Sequence, residues 1–397
     1  MSSIVANVRF MTTRDIQPFE IDVPQSDVDD LRRRLADTRW PDELSGVGWT
    51  YGIPTSYVRE LAEYWATTFD WKAHEARLNG YPQFLADIDG LQIHFFHVVS
   101  PDPDAVPLML IHGWPFEDFT EVIEPLTNPK AHGADSAQAF HLVLPTLPGF
   151  GFSGPTVRVG DTDTFRSAEV LAKLMEELGY ERYGAQGGDA GSFIAPQLGR
   201  IAPDRVLGVH LNGPLTIPSW DEDGSGFSEE DKAKLAALAD WNNAETSSYA
   251  SIHSTRPASL SPGLTDSPSG LLAWVVDVVN SYVDPAASSP DDAMDRDSLL
   301  VQISILWFTR TIGSSMRLYK ESSAWGADLA SSGVPTGVAV FARDASIRAI
   351  AERQNNIVRW TEFDHGGHFA PMETPAELVT EIREFFAGVL RAQWNRT

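Results

Sequence analysis

Residues 182–202 read RYGAQGGDAGSFIAPQLGRIA, and this stretch constrains the fold more than any other. Gly187 and Gly191 stand two positions either side of Asp189, with a strand-like run before them and a helical run after. That is the spacing of a nucleophile elbow, a sharp strand-to-helix turn that lifts one side chain above the edge of a sheet. The side chain at the tip lies beside the N–H groups opening the helix, whose dipoles favour an anion. Asp189 is therefore expected to be ionised. Taken alone it is equally an aspartate N-cap, so its meaning depends on what else the chain brings to the same edge.

Around the elbow the sequence alternates strand and helix. PLMLIHG (107–113) and FHLVLPTLPG (140–149) are short apolar runs ending in glycine, as buried parallel strands do. A helix is expected over 164–178, then the elbow strand, then a strand at RVLGVHLN (205–212). Strand signals lapse near Pro214 and resume at GVAVFA (337–342) and NIVRWTEF (356–363). A last helix is expected with Thr374 as N-cap, Pro375 at its first position and Glu377 closing a capping box. Upstream, Ser26 is the expected N-cap of a helix burying Val28, Leu31 and Leu35, a second helix is expected over 57–69, and FLADIDGLQIHFFHV (84–98) reads as a hairpin turning at Asp89-Gly90. The expected class is α/β, a mostly parallel sheet with helices on both faces. Residues 1–95 read as an N-terminal helical meander, 96–214 with 331–397 as the sheet core, and 215–330 as a helical cap.

Charge narrows the partners. With 30 basic against 55 acidic residues the formal charge is −25, which repels nucleic acid and anionic membrane surfaces. The absence of cysteine removes disulfides and thiolate metal sites. No basic-then-apolar leader and no membrane-length apolar run are visible, so a cytoplasmic protein without a membrane partner is expected. A homodimer is compatible with the sequence, and the chemistry below calls for no cofactor or metal.

Other residues fall where a reactive Asp189 needs them. His368, in DHGGHFAPME, follows the last strand, the place of the histidine in a nucleophile–acid–histidine chain order. His365 is its local rival, and His112 and His253 are weaker bases. Asp344 ends the strand before, placed to accept the histidine Nδ1–H and stabilise imidazolium; Glu362 and Asp364 are alternative acids crowding the histidine loop. HGWP (112–115) follows the first core strand, where the Trp114 N–H would form an oxyanion hole with that of Ala190. A carboxylate needs no deprotonation to attack saturated carbon, so the elbow points to epoxides or haloalkanes, with histidine activating water against the resulting ester. Epoxide opening also needs a proton donor for the leaving oxygen, and the cap offers Tyr249, Tyr282 and Tyr319; composition alone does not choose among them.

HGWP, GGDAG, SYASIHSTRP with DSPSGLLAW, SSMRLYKE, VPTGVAVFARD and GGHFAPMETP, in this order, resemble the microsomal-type epoxide hydrolases. FEIDVPQSDVDDLRRRLADTRWPD and WTYG resemble their N-terminal segment, so the similarity runs from about residue 17 to the end. The resemblance implies an α/β-hydrolase fold and turnover of a small epoxide to a vicinal diol, with Asp189 as nucleophile, His368 as base and Asp344 as its partner. It places the two ring-opening phenols at Tyr249 and Tyr319, and finds no match for Tyr282, whose removal is expected to be neutral. Two features depart from the family: Ala190 stands where many relatives carry tryptophan, and no leading apolar helix is visible. A haloalkane dehalogenase shares the aspartate elbow but wants halide-binding N–H donors, which Ala190 removes. A ligand-binding protein without turnover would have no need of the Asp–His–Asp set. Trp220, Trp241, Trp274, Trp307 and Phe308 in the cap are compatible with a lipophilic epoxide, in detoxification or natural-product biosynthesis.

Overall fold

A computed structural model of the chain describes residues 16–394, apart from 117, 135–136, 215, 219–221, 243–246, 326 and 328. A nine-stranded sheet organises them. Its strands are β1 (Ile16–Phe19), β2 (Gln83–Ile88), β3 (Leu91–Val98), β4 (Val106–Ile111), β5 (Phe140–Pro145), β6 (Tyr183–Gly187), β7 (Val206–Asn212), β8 (Pro335–Val340) and β9 (Asn356–Glu362). Their order is β1-β2-β3-β5-β4-β6-β7-β8-β9. From β5 to β9 neighbours run parallel, while β1, β2 and β3 join antiparallel at one side. The α/β-hydrolase expectation therefore holds.

The central strands read as unbroken apolar runs because both faces are covered. Along β4, Leu108 and Leu110 face the helices Thr120–Thr127 and Pro375–Trp394, whereas Met109 and Ile111 face Thr164–Glu177 and Gly191–Ile201. At the elbow, helix Gly191–Ile201 starts so close to β4 that a β-carbon on Gly191 would collide with the Ile111 carbonyl. The residue lifted clear is Asp189, in the left-handed region at φ 49°.

Several local expectations need correction. The first helix spans Gln25–Ala36 with Pro24, not Ser26, at its N-cap, and the Ser26 hydroxyl turns to Asp27 instead. Val28, Leu31 and Leu35 are buried as its periodicity requires. The last helix does begin at Pro375 directly after Thr374, as expected, but in place of a capping box the Thr374 hydroxyl reaches back to the Ala370 carbonyl and Glu377 faces His365. Strand β1 was not anticipated: four residues containing Pro18 carry no alternation, and proline is tolerated because the strand lies at the sheet edge.

The cap and the N-terminal segment share one core with the sheet. Helices Thr55–Thr67 and Trp71–Leu78 pack beside the cap helices Pro268–Tyr282 and Arg296–Thr309. The Trp65 indole N–H, with its side chain 1% exposed, donates to Ser304 Oγ at 3.0 Å. Tyr64 and Tyr57 bind Asp297 and Asp291, each at 2.8 Å. Helix Glu229–Asn242 lies apart from these, with Leu235 and Leu238 packed on Phe227, Ile347 and Ile350 at the β9 side. No helix among the described residues is long and apolar enough to cross a membrane.

Candidate active site

The sheet converges Asp189, His368 and Asp344 at the C-terminal ends of its strands. Asp189 Oδ1 accepts the Trp114 N–H at 2.8 Å, and the Ala190 N–H also donates to this carboxylate. Its other oxygen, Oδ2, lies 3.4 Å from His368 Nε2. On the far side of the ring, His368 Nδ1 donates to Asp344 Oδ1 at 3.1 Å. The Phe341 N–H, at the end of β8, steadies the second Asp344 oxygen at 3.4 Å. Asp344 and not Glu362 or Asp364 faces the ring; Glu362 is held by Lys234 and Trp360, and Asp364 by the exposed His365.

Electrostatics follow from this arrangement. Burial opposes charge on Asp189, but the His368 contact and the two backbone N–H groups outweigh it and hold the carboxyl below its ordinary range. Burial likewise opposes charge on His368, yet its two carboxylate partners push the ring well above its ordinary value. The two minor histidine candidates are spoken for. His112 Nε2 accepts the Leu147 N–H at 2.9 Å, and burial pushes the ring down to about 4. His253 Nε2 accepts the Trp274 indole at 3.1 Å, and burial pushes it down to about 3. Neither can serve as the base.

Opposite the nucleophile the cap supplies phenols. The Tyr319 hydroxyl lies 3.4 Å from that of Tyr249, which the Trp114 ring stacks against at 5.5 Å. Burial pushes both phenols well above their ordinary value, so both are protonated donors. Tyr282 joins them: its hydroxyl is 3.0 Å from Tyr249. Sequence reasoning set this residue aside, because only the meeting of helix Pro268–Tyr282 with the histidine loop brings it here. The structure thus brings a third phenol to the pair that the resemblance singled out.

Trp325 is a second residue that the sequence did not single out. It packs on Tyr319 at 5.0 Å and stacks on Phe193 at 6.3 Å, linking the phenols to the helix that follows the nucleophile. Of the cap aromatics, Trp274 backs the phenols through His253, while Phe308 packs on Trp71 and Trp307 under Arg34, both toward the N-terminal segment. The side chains of Trp220 and Trp241 lie outside the described residues.

Comparison with known proteins gives this geometry its family. Residues 16–122 match the model described as epoxide hydrolase N terminus, and 106–293 that of the alpha/beta hydrolase fold. The chain is 32% identical to epoxide hydrolase 1 of Sus scrofa over 409 residues, covering 95% of this chain and 90% of that protein. It belongs to the epoxide hydrolases. Among solved structures, juvenile hormone epoxide hydrolase from Bombyx mori superposes with a TM-score of 0.84 at 29% identity, covering 95% of each chain. The Aspergillus niger epoxide hydrolase gives 0.79 at 31% identity, covering 94% of this chain and 96% of that one. This epoxide hydrolase is thus an enzyme that adds water to an epoxide.

Proposed function

We propose that the epoxide hydrolase works through a covalent ester on Asp189. The observation that carries this reading is the split duty of the two carboxylate oxygens, Oδ1 on the Trp114 N–H and Oδ2 toward His368. Oδ2 attacks an epoxide carbon while Tyr249 and Tyr319 direct their protons at the departing oxygen. Oδ1 becomes the carbonyl oxygen of the ester, already seated where charge will develop during its hydrolysis. Esterification also removes one of the two carboxylate charges that hold the proton on His368. The ring then releases it, and the neutral imidazole takes a proton from the attacking water while Asp344 steadies it.

The proposed substrates are lipophilic epoxides, because the two phenols are packed among aromatic rings, Trp114 against Tyr249 and Trp325 against Tyr319. Haloalkane dehalogenation is the poorer reading, since Ala190 brings no side-chain donor for a halide and dehalogenation gives the phenols no work. The test is one turnover in ¹⁸O-water with enzyme in excess. Covalent catalysis puts solvent oxygen into Asp189 and leaves the first diol unlabelled. Label in that first diol would mean that water attacks carbon directly, and the ester would have to be abandoned. Asp189→Asn, checked by mass against deamidation, should be inactive yet folded.

A further inference from the structure

Tyr282 ends the helix Pro268–Tyr282 and is fixed from several directions. Its carbonyl accepts the His368 N–H at 2.9 Å, and its ring lies 5.5 Å from the imidazole. Two residues on, the Asp284 N–H donates to Glu373 Oε2 at 2.8 Å, and the Asp284 carboxylate accepts the Gly366 N–H at 2.6 Å. The Tyr282 hydroxyl is thereby held 3.0 Å from that of Tyr249, which in turn is 3.4 Å from that of Tyr319. Three phenols form a chain with Tyr249 in the middle.

Each phenol carries one proton. When Tyr249 and Tyr319 both point theirs at the epoxide oxygen in hydrogen bonds, Tyr249 can only accept from Tyr282, which fixes the direction of that bond. We propose that Tyr282 is a positioning residue for ring opening: it donates to the Tyr249 oxygen, aims the Tyr249 proton at the epoxide and stabilises the charge left behind. This rests on the reading of Tyr249 as a ring-opening acid. In that step Asp189 Oδ2 bonds to carbon, the carbon–oxygen bond breaks with its electron pair going to the ring oxygen, and that oxygen takes the Tyr249 proton. The O–H pair stays on Tyr249 as phenolate charge, at the atom Tyr282 addresses. A hydrogen bond to a charged acceptor is stronger than one to a neutral acceptor, so the Tyr282 contribution grows on the way to the transition state. Tyr282→Phe keeps the ring against His368 and the carbonyl that holds its loop, and removes the hydroxyl that meets Tyr249.

Single-turnover rates of alkylation and of ester hydrolysis are to be measured for Tyr282→Phe, Tyr249→Phe and the double variant. Tyr282→Phe should slow alkylation about ten- to a hundredfold, the range for a hydrogen bond to a charged group, and leave hydrolysis within about twofold. Because Tyr282 acts through Tyr249, the double variant should alkylate no more slowly than Tyr249→Phe. The Tyr282→Phe penalty should also shrink for epoxides whose leaving oxygen carries electron-withdrawing neighbours, a ratio that does not depend on how much of the sample is folded. Equal slowing of both steps, full additivity with Tyr249→Phe, or a penalty blind to the leaving oxygen overturns the proposal. Wild-type alkylation by Tyr249→Phe would instead remove the acid on which it rests.

Discussion

Gly113→Ala tests the oxyanion hole while leaving every reacting side chain in the sequence, by crowding Asp189 from the HGWP loop. A β-carbon built on Gly113 would stand 2.5 Å from Asp189 Cγ and nearer still to Oδ1 and Cβ. Ordinary carbon–carbon contact is about 3.5–4.0 Å, so the HGWP loop or the carboxylate has to retreat by about 1 Å or more. Either retreat stretches the 2.8 Å bond from the Trp114 N–H to Asp189 Oδ1 past useful length. Losing one such donor typically costs about a hundred- to a thousandfold, or roughly 3–4 kcal/mol of transition-state stabilisation. Both half-reactions should suffer, since the same donor aligns Oδ2 for attack and stabilises charge on Oδ1 when the ester is cleaved. Rapid-quench single turnovers followed by intact mass separate the two rates, and far-UV circular dichroism confirms that the fold persists. A folded Gly113→Ala enzyme within tenfold of wild type in both steps would show that the Trp114 N–H is not part of the machinery.

His368→Gln should open the ring but not cleave the ester, so intact mass should show the enzyme gaining one epoxide; unchanged enzyme with persisting substrate would place His368 elsewhere in the reaction. Asp344→Asn should slow that same hydrolysis on the order of a thousandfold or more through loss of the orienting acceptor, read in the same experiment. Glu373, which accepts the Phe369 and Asp284 N–H groups, is pushed up by burial from 4.5 to about 7. A raised carboxyl favours the folded state most below its unfolded value, so its contribution should fade between about pH 4.5 and 7, by up to ~3 kcal/mol. The stability difference between wild type and Glu373→Gln should narrow or reverse over that window, and a constant difference refutes the assignment. Ser304→Ala leaves the buried Trp65 N–H unpaired and should cost about 1–3 kcal/mol by denaturant unfolding.

Asp189, His368 and Asp344 were legible because each sits at a place the chain itself marks: a strand running into a glycine-flanked turn, the loop after the last strand, and the end of the strand before it. Trp114 and Ala190 followed from the same logic, since their contributions are backbone N–H groups and need no particular side chain. The place of Tyr282 beside Tyr249 was not legible, because it comes from a helix end meeting a loop more than eighty residues away in sequence, and no local pattern encodes that meeting. Trp325 escaped notice for a related reason: nothing local in the loop sequence shows that its ring lies between those of Tyr319 and Phe193. The short β1 strand, with Pro18 inside it, takes its identity from pairing with β2 rather than from its own residues.

The bolts between the N-terminal helices and the cap set how this enzyme meets its substrate. With Trp65 anchored to Ser304, Tyr64 to Asp297 and Tyr57 to Asp291, parting the cap from the N-terminal helices breaks one buried and two half-buried hydrogen bonds and opens a shared apolar seam. Access to Asp189 is therefore expected to run between side chains rather than through an opened cap. Selection among epoxides is then a matter of passage as much as of fit, and variants that alter choice without altering chemistry belong along the route inward. The same bolts make the assembly fail as one piece. Heat or denaturant that loosens the cap is expected to loosen the phenols, the histidine loop and the sheet edge with it, because all of them draw on the same core.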